Sequence, residues 1–223
     1  KDICVYLSYG GDLQLRMLVP ENLSPKIVKL LSPYQGKSIQ NIKELIRSIR
    51  QVEGLGAEVI IYPDAEEYIH QKLFQERMAE AVAEIRKAPQ NHPLRKTLLN
   101  AELLPYQLDG IAFAVGASRA ILADDMGLGK TIQGIGVAEL LAKLADIRRV
   151  LVVCPASLKS QWRSEIQRFC GRSSQLVVGS AEERVGQYEN QTFFTICNYE
   201  QILRDHPTVE RIAWDLIILD EGQ

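Results

Sequence analysis

The chain has 223 residues, 46% of them hydrophobic, with a net charge of −2 and four cysteines. That length fits one large domain, or a medium one with a small companion. The composition excludes a membrane span, because no apolar run approaches about 18 residues, and it provides no global basic field of the kind that advertises nucleic acid. Cys4, Cys154, Cys170 and Cys197 form no C-x-x-C pair, and His70, His92 and His206 are scattered. A zinc module is therefore not expected, and free thiols in a reducing, cytoplasmic setting are. The first residues, Lys1-Asp2-Ile3, carry no signal-peptide core.

Residues 3–9 and 13–19 alternate in polarity around Gly10-Gly11-Asp12. A three-residue loop pairs Tyr9 with Leu13, Leu7 with Leu15, Val5 with Met17 and Ile3 with Val19, keeping one apolar face. A two-residue loop would set that face against Gln14 and Arg16, since a one-residue slip flips every side chain. Ser24 and Pro25 predict a helix start, with the helix ending near Leu31. Ser38 predicts a second start, followed by the stripe Ile39, Ile42, Leu45, Ile46 and Ile49, with Gly54 and Gly56 closing it. Residues 58–62 predict a strand. Pro63-Asp64, with Glu67 three residues on, predicts a capped helix running to about Ala88.

Residues 89–100 contain two prolines and mixed polarity, so a linker is expected there. It would separate an N-terminal α+β region (1–88) from an α/β lobe (101–223). Nothing before residue 89 forms a chemical constellation. The first region serves either as a partner-binding or DNA-accessory module, or as a packing extension of the lobe.

After residue 101 short apolar strands alternate with helices, which implies a parallel sheet with right-handed crossovers. A helix is expected over 106–115, strands over 150–154, 175–178, 193–197 and 216–219, and a helix from Ser157 to Phe169. The stretch 120–133 is the most informative. An apolar strand enters a turn bearing Gly127 and Gly129, and a helix begins at Lys130. Strand, glycine turn and helix in this order suit a phosphate-binding loop. The glycines let backbone N–H groups turn inward, and the helix start offers unpaired amides and a positive dipole end. Lys130 then meets the β- and γ-phosphates of a nucleotide, and Thr131 holds Mg²⁺. Asp124 stands where the generic pattern has its first glycine. Gly134 and Gly136 cost about 1 kcal/mol each in a helix interior, which points to close packing against the sheet. The strand at 216–219 ends in Asp220-Glu221. At the C-terminal end of a strand, Asp220 suits a Mg²⁺ ligand and Glu221 the group that orients or deprotonates water.

Five motifs in order carry a family resemblance: LLPYQLDGIAF (103–113), LADDMGLGKTIQ (122–133), VLVVCPASLKSQW (150–162), TICNYEQILRD (195–205) and WDLIILDEGQ (214–223). Together they resemble the first RecA-like lobe of Swi/Snf-type ATPases in helicase superfamily two, where an acid at Asp124 is usual. The resemblance implies ATP and Mg²⁺ as cofactors. Gln107 would read adenine, and Asp125, Met126, Gly127, Leu128, Gly129, Lys130 and Thr131 would hold the phosphates. Catalysis would rest on Lys130, Asp220 and Glu221, with Thr131 and Asp220 on the metal. Ser157, Lys159, Asn198 and Tyr199 would contact nucleic acid, and Trp162 is taken as a packing residue. The Gly222-Gln223 ending resembles bacterial members, implying work in the bacterial cytoplasm at the nucleoid.

The activity implied is ATP-driven tracking along double-stranded DNA, mainly with a second lobe whose arginines reach the γ-phosphate. That lobe is not among these residues, so they are expected to bind nucleotide weakly and hydrolyse little. A protein partner could engage the N-terminal region. Two other classes compete: a small-molecule kinase or GTPase sharing the loop, and a non-catalytic module ordered by nucleotide.

Overall fold

The structure, a computed structural model, describes residues 2–117, 120 and 129–220. The chain divides into two compact units, one up to Ala79 and one from Glu80.

In the first unit, β1 (Ile3–Ser8) and β2 (Gln14–Leu18) form the hairpin with the longer-loop register: Val5 faces Met17 and Leu7 faces Leu15. Ile3, Val5, Leu15 and Met17 are buried, so the register puts one apolar face inward, as the pleat requires. Tyr9 and Leu13 lie beyond the paired strands and are exposed. Helix α1 (Pro25–Leu31) follows Ser24, whose backbone has cap geometry but whose side chain makes no capping bond. A 3-10 turn, Ser32–Tyr34, leads toward α2 (Ile42–Gly54). Helix α2 begins later than Ser38 suggested. Asn41 is its cap, accepting from the Glu44 amide at 3.0 Å. Ile39, read as the first helical position, instead donates its amide to the Leu15 carbonyl at 2.8 Å. Strand β3 (Val59–Ile61) pairs parallel to β1, giving a mixed sheet of order β2-β1-β3. Helix α3 (Pro63–Lys87) then begins, with Asp64 inside its first turn. Ile27, Leu31, Ile42, Leu45, Ile49 and Val52 pack with the hairpin into this unit's core.

The boundary between the units falls inside α3. The stretch expected as a linker instead folds into a 3-10 turn at Pro89–Asn91 and a short helix α4 (Leu94–Thr97). Leu99 is buried in the second unit's core, together with Ile85 from the end of α3. Apolar positions spaced among the prolines explain the difference: Leu94, Leu98 and Leu99 all pack inward.

The second unit continues with α5 (Pro105–Gly116), α6 (Lys130–Ala145), β4 (Val150–Cys154) and α7 (Lys159–Phe169), the last preceded by a 3-10 turn at Ala156–Leu158. Then come β5 (Ser174–Leu176), α8 (Ala181–Glu189), β6 (Phe194–Asn198), α9 (Tyr199–Glu210) and β7 (Leu216–Leu219). The described sheet is parallel throughout, in the order β5-β6-β4-β7. Strand β4 is buried along its whole length. Its residues alternate between two cores. Val150, Val152 and Cys154 join α5, α6 and α7; Leu151 and Val153 join Tyr188 of α8 and Val209 of α9. Helices thus cover both faces, the arrangement in which a continuous apolar strand is stable. Among the described residues no helix is long and apolar enough to cross a membrane.

The helix glycines have specific neighbours. A Cβ on Gly134 would stand 3.0 Å from the Trp162 ring and 3.8 Å from Ile218 of β7. On Gly136 it would stand 2.3 Å from Cδ1 of Ile111. Gly134 therefore brings α6 close to β7 and α7, whereas Gly136 is a helix-on-helix contact with α5 rather than a contact with the sheet.

Candidate active site

The site begins where α6 begins. Gly129 adopts a left-handed backbone, φ 82° and ψ 42°, and caps the helix without a side-chain bond. A Cβ there would meet Nε2 of Gln107 at 2.7 Å and Cγ2 of Ile132 at 2.9 Å, so both conformation and space require glycine. The Gln133 amide bonds back to the Gly129 carbonyl. The amides of Lys130, Thr131 and Ile132 have no protein acceptor among the described residues. A helix start with unspent amides and an uncapped dipole is a binding place for an anion such as phosphate. Lys130 is exposed at that start and Thr131 is half-buried beside it. Asp124, Asp125, Met126, Gly127 and Leu128, with the strand expected before them, lie outside the described residues apart from Ala120.

Gln107 sits against this turn. It is 8% exposed, and its Oε1 accepts the Leu104 amide at 2.9 Å, closing the first turn of α5. That fixes the amide plane and turns Nε2 toward Gly129. Among the described residues, one lone pair of Oε1 and the N–H donors remain for a base edge. The expected adenine reader and the expected phosphate turn are thus in contact.

Asp220 follows β7 directly. Its amide donates to the Val153 carbonyl at 2.8 Å, extending the β4–β7 ladder. Two aromatic side chains fix it. The Trp162 indole N–H donates to Oδ2 at 2.8 Å, and the Tyr199 hydroxyl donates to the backbone carbonyl at 2.7 Å. Trp162 is 2% exposed and is also the neighbour of Gly134, one turn along α6 from Lys130. The first turns of α6 and the tip of β7 therefore share Trp162. The packing expected of Trp162 is present, but its polar bond to Asp220 escaped the sequence. The available signal was chemical: a buried indole seeks an acceptor for its N–H. Glu221 lies outside the described residues.

The side chains expected to meet nucleic acid divide. Ser157 is exposed in the turn after β4. Lys159 is 8% exposed; its ammonium donates to the Val177 carbonyl and, at 3.1 Å, to Oε1 of Gln201. Burial lowers its pKa below the ordinary lysine value. Lys159 thus ties α7 to α9 within the unit, and its charge is not presented outward. Asn198 caps α9, accepting the Gln201 amide at 2.9 Å, while Gln201 returns a bond to the Asn198 amide at 3.0 Å. Tyr199 is half-buried, with its hydroxyl on Asp220.

No cluster of three or more His, Cys, Asp or Glu suited to a metal exists among the described residues. Mg²⁺ does not need one, since it typically takes one or two protein oxygens and completes its shell with phosphate and water. Thr131 beside the unspent amides and the tethered carboxylate of Asp220 fit that mode. The cysteines on the inner strands are not competing ligands: burial pushes the thiols of Cys154 and Cys197 up to about 11 and about 12, with the Asp220 charge adding to the shift at Cys154.

Residues 106–223 match the SNF2-related domain. Over 138 residues the chain is 36% identical to the DNA repair and recombination protein RAD54B of Mus musculus, covering 54% of this chain and 16% of that protein. Over 144 residues it is 35% identical to the chromatin-remodeling ATPase INO80 of Gibberella zeae, covering 56% of this chain and 8% of that protein. A solved SWI2/SNF2 ATPase core from Sulfolobus solfataricus, in complex with dsDNA, is 31% identical with a TM-score of 0.49, covering 56% of this chain and 27% of that one. The chain thus spans under a fifth of the length of these curated relatives.

Proposed function

The chain belongs to the SNF2-related family, and from that premise we propose that residues 101–223 are the first ATP-binding lobe of a double-stranded DNA translocase. The observation that carries this is the convergence at the start of α6. Helix-start amides without an acceptor among the described residues, the Gln107 side chain and, through Trp162, the Asp220 carboxylate gather around one turn.

In this reading the amides after Gly129 cradle phosphate, Lys130 neutralises the β- and γ-oxygens, and Gln107 presents its amide edge to adenine. Thr131 and Asp220 hold Mg²⁺, which spreads the charge developing on the transferred phosphoryl group. Glu221 orients the attacking water. Asp125, Met126, Gly127 and Leu128 complete the loop. Duplex DNA as the track is supported by the motif order and by the DNA-repair and chromatin-remodelling names of the relatives. Ser157 and Asn198 are the side chains best placed to meet it. In this reading the arginines of a second lobe complete the hydrolytic site, and a first lobe by itself binds nucleotide weakly and hydrolyses little. The Gly222-Gln223 ending supports a bacterial-type member acting in the cytoplasm at the nucleoid, although the curated relatives named above are eukaryotic.

Titration with fluorescent ATP and GTP analogues, with and without Mg²⁺, tests the proposal. ATP should bind in preference to GTP, Lys130→Ala should abolish binding, and Gln107→Ala should erase the preference. Absence of nucleotide binding, or a preference indifferent to Gln107, would overturn it in favour of another phosphate-loop enzyme or a non-catalytic module.

A further inference from the structure

The N-terminal unit carries a charge pattern that the ATP site does not explain. Residues 22–52 hold Lys26, Lys29, Lys37, Lys43, Arg47 and Arg50 against one acid, Glu44, in a chain whose net charge is −2. The cluster is therefore not a by-product of a basic composition. It is also organised. Helix α1 buries Ile27 and Leu31, and α2 buries Ile42, Leu45, Ile49 and Val52. The remaining faces of the two amphipathic helices are the ones that carry the cations.

Between them lies a cleft of about 610 Å³. Lys26 and Lys29, three residues apart on α1, line one wall, and Arg47 and Gln51, four apart on α2, line the other; Glu44 is the one acid in the lining, against three cations, and Leu30, Pro33 and Leu55 are its apolar part. These three cations are exposed, and none is in an ion pair among the described residues. The Tyr34 hydroxyl and Ser48 Oγ, 2.8 Å apart, join the turn after α1 to α2 and hold the walls at a fixed separation.

We propose that this cleft is a second duplex-DNA contact, in which Lys26, Lys29 and Arg47 grip the phosphodiester backbone without reading sequence. The proposal rests on the translocase reading for its choice of duplex. The chemistry favours a phosphate backbone over an acidic protein. Backbone contacts need arrays of lysine, arginine and short polar donors. A protein partner usually seats an aromatic or arginine anchor in a desolvated centre, but this cleft is open, and its one aromatic lining residue, Tyr34, is buried and already hydrogen-bonded. A second grip would hold a translocating lobe on its track while the ATP-driven contacts release.

The test uses the whole 223-residue chain and a short fluorescent duplex of arbitrary sequence, with anisotropy followed across a salt series. Lys29→Glu with Arg47→Glu is compared with Lys72→Glu and Arg77→Glu, two exposed cations on α3 whose reversal changes net charge equally. Loss of two phosphate contacts should flatten the slope of log affinity against log salt by about 1.8 and weaken binding about tenfold or more at low salt. The α3 pair should change affinity far less. Equal effects of the two pairs, or an unchanged salt slope, would overturn the proposal. So would tighter binding of a polyglutamate peptide that the cleft variant abolishes, which would make the cleft a protein-docking surface. Binding of an ATP analogue, read on the same samples, separates the two proposals. A chain that binds ATP but holds duplex independently of the cleft loses only this inference. A chain with cleft-dependent duplex binding and no nucleotide binding loses the motor reading instead.

Discussion

The indole N–H of Trp162 reaches Oδ2 of Asp220 at 2.8 Å, across 58 residues of sequence, while the same ring lies against Gly134 of α6. One side chain therefore sets both the spacing of α6 and the orientation of the carboxylate assigned to the metal. Trp162→Phe keeps most of the ring and removes the donor. A hydrogen bond to a charged group contributes about 1.5–3 kcal/mol, so thermal or denaturant unfolding should show a loss in that range. Nucleotide binding without Mg²⁺ should be nearly unchanged, because Lys130 and the amides are untouched. The tightening produced by Mg²⁺ should shrink several-fold. If Mg²⁺ tightens binding to wild-type and variant alike, Trp162 is a packing residue and nothing more.

The contact of Gly136 with Ile111 makes a reciprocal prediction. Alanine is the better helix former by about 1 kcal/mol, yet a Cβ at Gly136 would lie 2.3 Å from Cδ1 of a fully buried Ile111. Overpacking of this kind costs about 1–3 kcal/mol, so Gly136→Ala should destabilise despite its helix propensity. Ile111→Val alone should cost about 0.5–1.5 kcal/mol. Because valine lacks that Cδ1, the double variant should be more stable than the sum of the two single changes allows. Denaturant melts of the four proteins measure this coupling, and strict additivity would disprove the contact's role.

Arg184 of α8 and Asp205 of α9 form a well-buried bidentate pair, with both nitrogen–oxygen distances at 2.7 Å and the Tyr188 hydroxyl adding a third bond at 3.0 Å. The Arg184 guanidinium, helped by Tyr188, holds the Asp205 carboxyl below its ordinary value of 3.8 against the opposing effect of burial. The folded state thus remains ionised at a pH where the unfolded chain has already bound a proton. The stabilisation is complete above the ordinary value and is lost as pH falls through the lower folded-state value. Asp205→Asn should remove that acid limb of the stability curve. It should also destabilise the fold near neutrality, because it leaves the Arg184 guanidinium without its counter-charge. Melting temperatures collected from neutral pH down to the acid range would display both effects.

Much of this was legible because it is periodic or local. The hairpin register followed from parity, and the helix start at Lys130 and the strand leading into Asp220 were visible as patterns. What escaped depends on distant partners. Ser38 and Asn41 are both acceptable helix caps, and Ile39 extends the helical stripe; its amide is instead spent on the Leu15 carbonyl of β2, and Ile39 stays outside the helix. Residues 89–100 look like a linker until the second core is there to receive Leu99. Gly136 signalled a close approach, but its partner was α5, because nothing in a helix's own sequence says which neighbour a small residue admits. Trp162 and Tyr199 could be assigned to packing or to nucleic acid, yet their polar atoms meet on Asp220, a residue from a different βα unit.

Lys159 is the sharpest of these cases, and its burial gives a prediction opposite to the one its position in the motif suggests. Both of its acceptors have other donors. The Val177 carbonyl also receives Gln201 Nε2 at 2.9 Å, and Gln201 Oε1 also receives the Asn198 amide at 3.0 Å. Removing the ammonium therefore strands no acceptor and relieves the cost of burying a charge. Lys159→Met, which keeps a long apolar stem, should change stability by less than about 1 kcal/mol or raise it. Lys159→Ala, which empties the space, should be clearly less stable than Lys159→Met. Duplex affinity should be the same for Lys159→Met and wild type. Ser157→Glu, which places a carboxylate on the exposed turn two residues earlier, should weaken duplex binding several-fold and make its loss with salt shallower, because salt screens the new repulsion. A large drop in duplex affinity for Lys159→Met at unchanged melting temperature would return Lys159 to the nucleic-acid surface.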